Sequence, residues 1–278
     1  MKNTKEINTM AILENDAVDK LRKDFSFLYW ERFVMIDTSQ MRLGINDISY
    51  KASSPLEDDI AMLQLTCKGW LETYDARDLT ISLSDKLETL LRVVNKKRTI
   101  VVFPGNGAQV IKDLLPDGLL DGVSTVEIPT ERKVGSNGSV NGVELLGRTK
   151  LREAVAERKA ETIIILDDVI VTGSTLIAVK DAISGRNIEF YAGALMMRSP
   201  LQRGGRCSAE SGIEGYTSVI APIVYQGISG TPPVNSLSTL MGESDKSRTV
   251  RAKYISQYVE DPSTFMDTVS AIRGKIKI

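Results

Sequence analysis

Residues 163–175 read IIILDDVIVTGST. Four aliphatic residues run straight into two adjacent carboxylates, Asp167 and Asp168, and a Val171-Thr172-Gly173-Ser174-Thr175 turn follows. Neighbouring like charges repel, and neither carboxylate can be buried alone without a large desolvation cost. An unbroken apolar run suits a strand covered on both faces, so the two acids are expected to emerge at its carboxyl end. The turn then leads into LIAVKDAI (176–183), which reads as a helix. In open α/β sheets that carboxyl edge is where ligands bind.

The chain on either side repeats this plan. Short runs rich in Val and Ile stand at TIVVF (99–103), VSTVEI (123–128), TIIIL (162–166), IEFYAGALMM (188–197) and TSVIAPIV (217–224). Helical patterns lie between them, near 107–115, 149–159 and 174–184. The alternation predicts an α/β fold with a doubly wound, mainly parallel five-stranded sheet flanked by helices. Residues 55–74 and 83–95 read as amphipathic helices before this core. Residues 259–274 read as a helix after it, with Asp261 as N-cap, Pro262 in the first turn and Gly274 as a stop. The expected organisation is a mainly helical N-terminal extension or hood (1–96), a core (97–200) and a C-terminal hood (201–278) packed on it. GSNGSVNG (135–142) and GISGTPPVNS (227–236) read as mobile loops.

Composition removes whole classes of chemistry. The chain has 278 residues and no histidine. A Ser-His-Asp triad, a Cys-His pair and a His-ligated zinc or iron site are therefore excluded within it. Carboxylates, amines, hydroxyls, backbone dipoles and an oxygen-loving metal such as Mg²⁺ are what is left. The net charge of −1 argues against a general nucleic-acid binder. Residues 1–96 carry 13 Lys or Arg against 16 Asp or Glu, scattered as on a solvated surface. Cys67 and Cys207 have no metal-ligand spacing, no apolar run suggests a membrane span, and the start lacks a secretory core. A cytoplasmic protein without membrane or nucleic-acid partners is the expectation.

Backbone N–H groups at the start of the helix after Gly173, with the Thr172, Ser174 and Thr175 hydroxyls, make an anion cradle suited to a phosphate. Gly173 lets the backbone approach without a Cβ in the way. A phosphate site beside two carboxylates points to a phosphorylated sugar, its hydroxyls held directly or through Mg²⁺ and its waters. Three other readings compete. The acids could be a solvated strand end and the turn an ordinary helix cap. A phosphoacceptor receiver domain needs a phosphorylatable Asp at the next strand's end, where Met196-Met197-Arg198 stands. At PGNGAQV (104–110) a dinucleotide fingerprint lacks its third glycine and a P-loop lacks its Gly-Lys-Ser/Thr.

The stretch Asp-Asp-Val-Ile-Val-Thr-Gly-Ser-Thr resembles the signature of type I phosphoribosyltransferases, which bind phosphoribosyl pyrophosphate. The resemblance implies that Asp167 and Asp168 contact the ribose hydroxyls and Mg²⁺, while Val171, Thr172, Gly173, Ser174 and Thr175 hold the 5-phosphate. It implies that Gly105, Asn106 and Gly107, in FPGNGAQVI, present amides to pyrophosphate. It implies also that TERKVGSNGSVNGVELLGR (130–148) is a catalytic flexible loop, closest to that of the orotate branch, with Arg132 and Lys133 clamping the departing pyrophosphate. That branch's loop histidine is absent, as is a counterpart of its base-binding segment. Val171 replaces the acid usual in 6-oxopurine enzymes, which disfavours such a substrate. In this family the acceptor-binding hood lies outside the core, so 1–96 and 201–278 would carry the unidentified acceptor's site. Members often dimerise, which leaves a homodimer open. The implied activity is Mg²⁺-dependent transfer of the 5-phosphoribosyl group to a nitrogen base with release of pyrophosphate. A non-catalytic regulator that senses phosphoribosyl pyrophosphate is the alternative.

Overall fold

The computed structural model describes residues 28–36, 41–134, 140–183, 187–199, 216–227 and 234–276. In chain order the elements are β1 (Leu28–Tyr29), β2 (Arg32–Ile36), β3 (Met41–Asn46), α1 (Glu57–Leu65), β4 (Trp70–Asp75), α2 (Ala76–Val93), β5 (Thr99–Pro104) and α3 (Gly107–Leu114). Then follow β6 (Ser124–Ile128), β7 (Thr130–Val134), β8 (Val140–Leu145), α4 (Arg148–Glu157), β9 (Thr162–Ile170), α5 (Ser174–Ala182) and β10 (Glu189–Arg198). The chain continues with β11 (Ser218–Ile220), β12 (Ile223–Gly227), β13 (Val234–Ser236), α6 (Leu237–Met241), α7 (Asp245–Tyr258) and α8 (Pro262–Lys275). No helix among the described residues is long and apolar enough to cross a membrane.

The five apolar runs become the centre of a parallel sheet in the order β6-β5-β9-β10-β11. Alternation along the strands gives it two apolar faces. Ile100, Val102, Ile163, Ile165, Ala192 and Ala194 join Leu151 and Val155 of α4 and Leu176 and Val179 of α5 in one buried cluster. Leu166 belongs to the other face, where it meets Leu83 of α2 at Gly193. A Cβ on Gly193 would lie 2.8 Å from Leu166 Cδ2 and 2.9 Å from Leu83 Cδ1. Gly193 is thus what lets α2 sit close on the sheet. Gly193→Val is expected to cost about 1–3 kcal/mol by overpacking, read as a lower urea midpoint at unchanged slope.

Several elements depart from the sequence-based expectation. The described part of 1–96, expected to be mainly helical, holds four strands beside its two helices, and one of them, β4, falls within an expected helix. β1 pairs in parallel with β11, and β2 pairs with β12, so the sheet has eight strands among the described residues. The run TSVIAPIV divides at Ala221-Pro222 into β11 and β12, both parallel to β10. The Pro222 carbonyl accepts from the N–H groups of Glu31 and Arg32 (3.0 Å each), which ties the break to the β1–β2 corner. Residues 55–74 are a helix only to Leu65. Beyond it Lys68 N–H donates to Tyr258 O (2.7 Å) and Glu260 N–H to Thr66 O (2.8 Å), and the chain straightens into β4. Here tertiary hydrogen bonds override helical propensity. Asp75 caps α2 seven residues before the expected start of that helix, accepting from Arg77 N–H (2.7 Å). Asp261 caps α8 as expected, accepting from Thr264 N–H (3.1 Å), but Gly274 lies inside the helix rather than stopping it. Of the two expected loops, 135–139 and 228–233 lie outside the described residues, and the remaining ends form strands β8 and β13.

Contacts group the chain differently from the expected segments 1–96, 97–200 and 201–278. Among the described residues, one unit comprises Leu28–Met35 together with those within Thr80–Gln226 and contains the large sheet. The other comprises Ile36–Leu79 and the chain from Gly227 onward. It is a parallel three-stranded sheet, β13-β3-β4, with a core including Leu56, Leu63, Leu71, Leu237, Tyr254 and Phe265. Arg251 and Arg273 donate to the carbonyls of Leu240, Met241 and Gly242, so two cations neutralise the negative end of α6.

Candidate functional site

The sheet order creates a switch point. From β5 the chain moves to β6 on one side and later to β9 on the other, so the loops leaving β5 and β9 open a crevice at their carboxyl ends. Three adjacent strands deliver their loops to this edge. β9 ends in Asp167–Ile170 and the turn into α5. β5 ends at Pro104 and continues as Gly105-Asn106 into α3. β6 ends at Ile128, one residue before the hairpin of β7 and β8.

Consecutive residues of a strand point to opposite faces, which separates the two carboxylates. Asp167 follows Ile163 and Ile165 on the α4 and α5 face and is 9% exposed. Its Oδ1 accepts from the Asp168 N–H (3.0 Å). Asp168 shares its side with Leu166 and is half-buried, and its Oδ1 accepts from the Val169 N–H (2.9 Å). The Asp168 carboxylate reaches the first residue of α3, where a Cβ on Gly107 would overlap it. Hence the structure brings together two groups that stand 61 residues apart in sequence.

The turn after β9 is held locally. Gly173 takes the left-handed conformation (φ 67°, ψ 7°), which costs a residue without Cβ little. The Thr172 and Ser174 hydroxyls share a hydrogen bond (2.9 Å), and Ser174 N–H donates to Thr172 Oγ1 (3.4 Å). In α5 the N–H of Ile177 donates to the Gly173 carbonyl (2.9 Å). Helix geometry therefore leaves the Ser174, Thr175 and Leu176 amides without an intrahelical acceptor, all at the positive end of the dipole. Tyr216 fixes this first turn, donating its O–H to Leu176 O (2.8 Å) from a buried position. Burial and the nearby Asp181 carboxylate push the Tyr216 phenol well above its ordinary pKa, so it stays a neutral donor.

The expected flexible loop begins and ends as an antiparallel hairpin, with Glu131 opposite Glu144, Arg132 opposite Val143 and Lys133 opposite Gly142. Thr130 faces the loop after β5, its Oγ1 2.6 Å from where a Gly105 Cβ would stand. Lys133 is three residues on and so lies on the opposite side of the ribbon. There its Nζ pairs with Glu144 (3.2 Å), with both side chains more than half exposed. A pair this exposed contributes little to stability, although it offsets the opposition of Glu131 and Glu144. Of the sequence-predicted residues, Asp167 and Asp168 stand near the end of β9, and Gly105 to Gly107 and 171–175 in the connections that lead from β5 and β9 into α3 and α5, at one sheet edge. Thr130 and Tyr216 were not foreseen. Their roles depend on strand order, which no local motif reveals.

No family model matches the chain, and no curated protein matches it. Solved structures do resemble it at low identity. A hypothetical protein from Neisseria gonorrhoeae with bound ppGpp has 12% identity, over 65% of this chain and 93% of that one, at a TM-score of 0.39. The adenine phosphoribosyl transferase of Trypanosoma brucei, in complex with AMP, pyrophosphate and ribose-5-phosphate, has 13% identity over 52% and 64% of the two chains, at 0.36. A hypoxanthine phosphoribosyltransferase from Staphylococcus aureus has 16% identity over 53% and 74%, also at 0.36. Likenesses of this strength assign no residue's role. The chain is an α/β protein whose mainly parallel sheet is flanked by helices, with two carboxylates and a hydroxyl-rich helix start at its switch point.

Proposed function

We propose that the protein is a phosphoribosyltransferase, moving the 5-phosphoribosyl group of phosphoribosyl pyrophosphate to a nitrogen nucleophile with release of pyrophosphate. One observation carries this reading. The Asp167–Asp168 pair and the Thr172–Thr175 helix start follow one another off β9, and Asp168 touches the loop at Gly107. Such an edge offers amides to a phosphate, carboxylates to vicinal hydroxyls and a second set of backbone amides to a pyrophosphate.

In the reaction the C1–O bond to pyrophosphate breaks as the acceptor nitrogen bonds to C1, and the ribose takes cationic character. Asp167 and Asp168 orient the ribose and stabilise that charge, and the α5 amides with the Thr172 and Ser174 hydroxyls fix the 5-phosphate. No covalent protein nucleophile is needed, which suits a chain without histidine. Among the described residues no three Asp, Glu, His or Cys side chains converge as a metal cage. The two divergent carboxylates fit Mg²⁺ only in the manner usual for that ion, which keeps several waters and takes its other ligands from substrate oxygens. Bound there, Mg²⁺ supplies charge neutralisation to the leaving group.

A specific observation also favours a second reading. Lys133 is engaged by Glu144, which suits a protein that binds phosphoribosyl pyrophosphate as a signal without cleaving it. Incubation with phosphoribosyl pyrophosphate, Mg²⁺ and a panel of bases and amines distinguishes the two. Acceptor-dependent pyrophosphate release is the expected result. Tight binding without release under every acceptor would support the sensor and sink the transferase.

A further inference from the structure

Tyr216 stands just before β11, where the Thr217 N–H donates to Phe190 O (2.7 Å) and the Tyr216 ring meets the Phe190 ring edge-on at 5.8 Å. Phenylalanine at 216 would make the same ring contact, so packing alone does not account for the hydroxyl. That hydroxyl donates to Leu176 O (2.8 Å), an atom that does not lack a donor, because helix geometry already gives it the Lys180 N–H. We propose that Tyr216 is a positioning residue for the phosphate-binding turn, acting through two successive peptide groups on the Ser174 amide. This rests on the transferase reading and adds to it a residue far outside the 167–175 run.

Two peptide groups join the phenol to the amide. Leu176 O and the Ile177 N–H belong to the first, and the Ile177 N–H donates to Gly173 O (2.9 Å). Gly173 O and the Ser174 N–H belong to the second, and the Ser174 N–H stands at the open start of α5, in long contact with Thr172 Oγ1 (3.4 Å). Hydrogen bonds in series polarise one another. A donor on Leu176 O therefore makes the Ile177 N–H a stronger donor, and that bond does the same for Ser174. The Thr175 and Leu176 amides head the other two ladders of the helix, through Ala178 and Val179, and gain nothing from Tyr216. The bond also ties the first turn of α5 to the sheet, since the Tyr216 ring rests on Phe190 of β10. Burial holds the phenol well above its ordinary pKa, which keeps the donor proton in place.

Tyr216→Phe in the full-length protein tests this, by calorimetric titration with ribose 5-phosphate and, separately, with inorganic pyrophosphate in MgCl₂. The variant should fold, because Leu176 O keeps its Lys180 donor. Ribose 5-phosphate should bind about three- to tenfold more weakly than to wild type, while pyrophosphate binds as before. In isotope-labelled, ligand-free protein the Ile177 and Ser174 amide protons should move upfield, Ile177 the further, while those of Thr175 and Leu176 hold their positions. A turn that had merely loosened would move all four. Wild-type affinity of Tyr216→Phe for ribose 5-phosphate overturns the proposal and leaves the transferase reading standing. So does an equal loss for both ligands, or a shift spread over all four amides, since Tyr216 would then only support the fold. Wild-type protein that fails to bind ribose 5-phosphate overturns the proposal and the transferase reading together.

Discussion

An Asp167→Asn/Asp168→Asn variant is expected to bind phosphoribosyl pyrophosphate in Mg²⁺ at least about tenfold more weakly than wild type, a loss on the order of 1.4 kcal/mol or more. The substitution preserves size. It also preserves the two backbone contacts, because an amide oxygen can still accept from the Asp168-position and Val169 N–H groups now held at 3.0 and 2.9 Å. Only the charges go. Folding should be unharmed, since adjacent carboxylates repel when no ligand is bound and their removal relieves that. A strand end of merely structural importance predicts the reverse: unchanged ligand affinity, with any effect confined to the melting temperature. Calorimetric titration and thermal melts on the same preparation decide between them. Wild-type affinity in the double variant would remove the foundation of the functional proposal.

Larger still should be the effect of Arg132→Ala/Lys133→Ala on turnover. If these cations act on the departing pyrophosphate, kcat should fall about a hundredfold while the dissociation constant for phosphoribosyl pyrophosphate barely moves. Charge builds on the leaving group mainly in the transition state, so its partners contribute mainly there. The Lys133–Glu144 pair must open for Lys133 to take part. Both side chains are largely solvated, so that opening is inexpensive. Single-turnover kinetics beside equilibrium binding separate the two quantities. Equal losses in both would make the hairpin part of the ground-state site.

The core of the fold was legible because each central strand is covered on both faces and therefore written as a continuous apolar run. β9 and β10 declare themselves in this way, although β9 runs on past Asp167-Asp168, where the apolar run stops, to a buried Ile170. β1 and β2 do not. Leu28–Tyr29 is a two-residue strand defined wholly by its partners Val219 and Ile220, and no periodicity can be measured over two residues. WLETY failed for a different reason. Its apolar positions suit a helix continuing from Leu65 as well as a strand, and hydrogen bonds from the distant α7 region decide the matter. Within the site, residues that follow one another along the chain were readable, as in 167–175. Contacts across strands were not. Asp168 against Gly107 and Thr130 against Gly105 exist only because β5 lies between β6 and β9.

The interleaved path of the chain has a consequence during biosynthesis. The smaller unit draws on Ile36–Leu79 and on the chain after Gly227, so its first portion leaves the ribosome long before its second. At a synthesis rate of roughly 5–20 residues per second, that portion waits on the order of ten seconds for its partner. Meanwhile Leu56, Leu63 and Leu71 lack the Leu237, Tyr254 and Phe265 that later cover them. β1 waits similarly for β11. The central strands β5, β6 and β9 need no such delay and can pair as they emerge. The nascent protein thus passes through a stage in which the sheet bearing Asp167 and Asp168 is formed while apolar surface from the earlier segment stands open to water, a stage at which a holding chaperone would find its substrate.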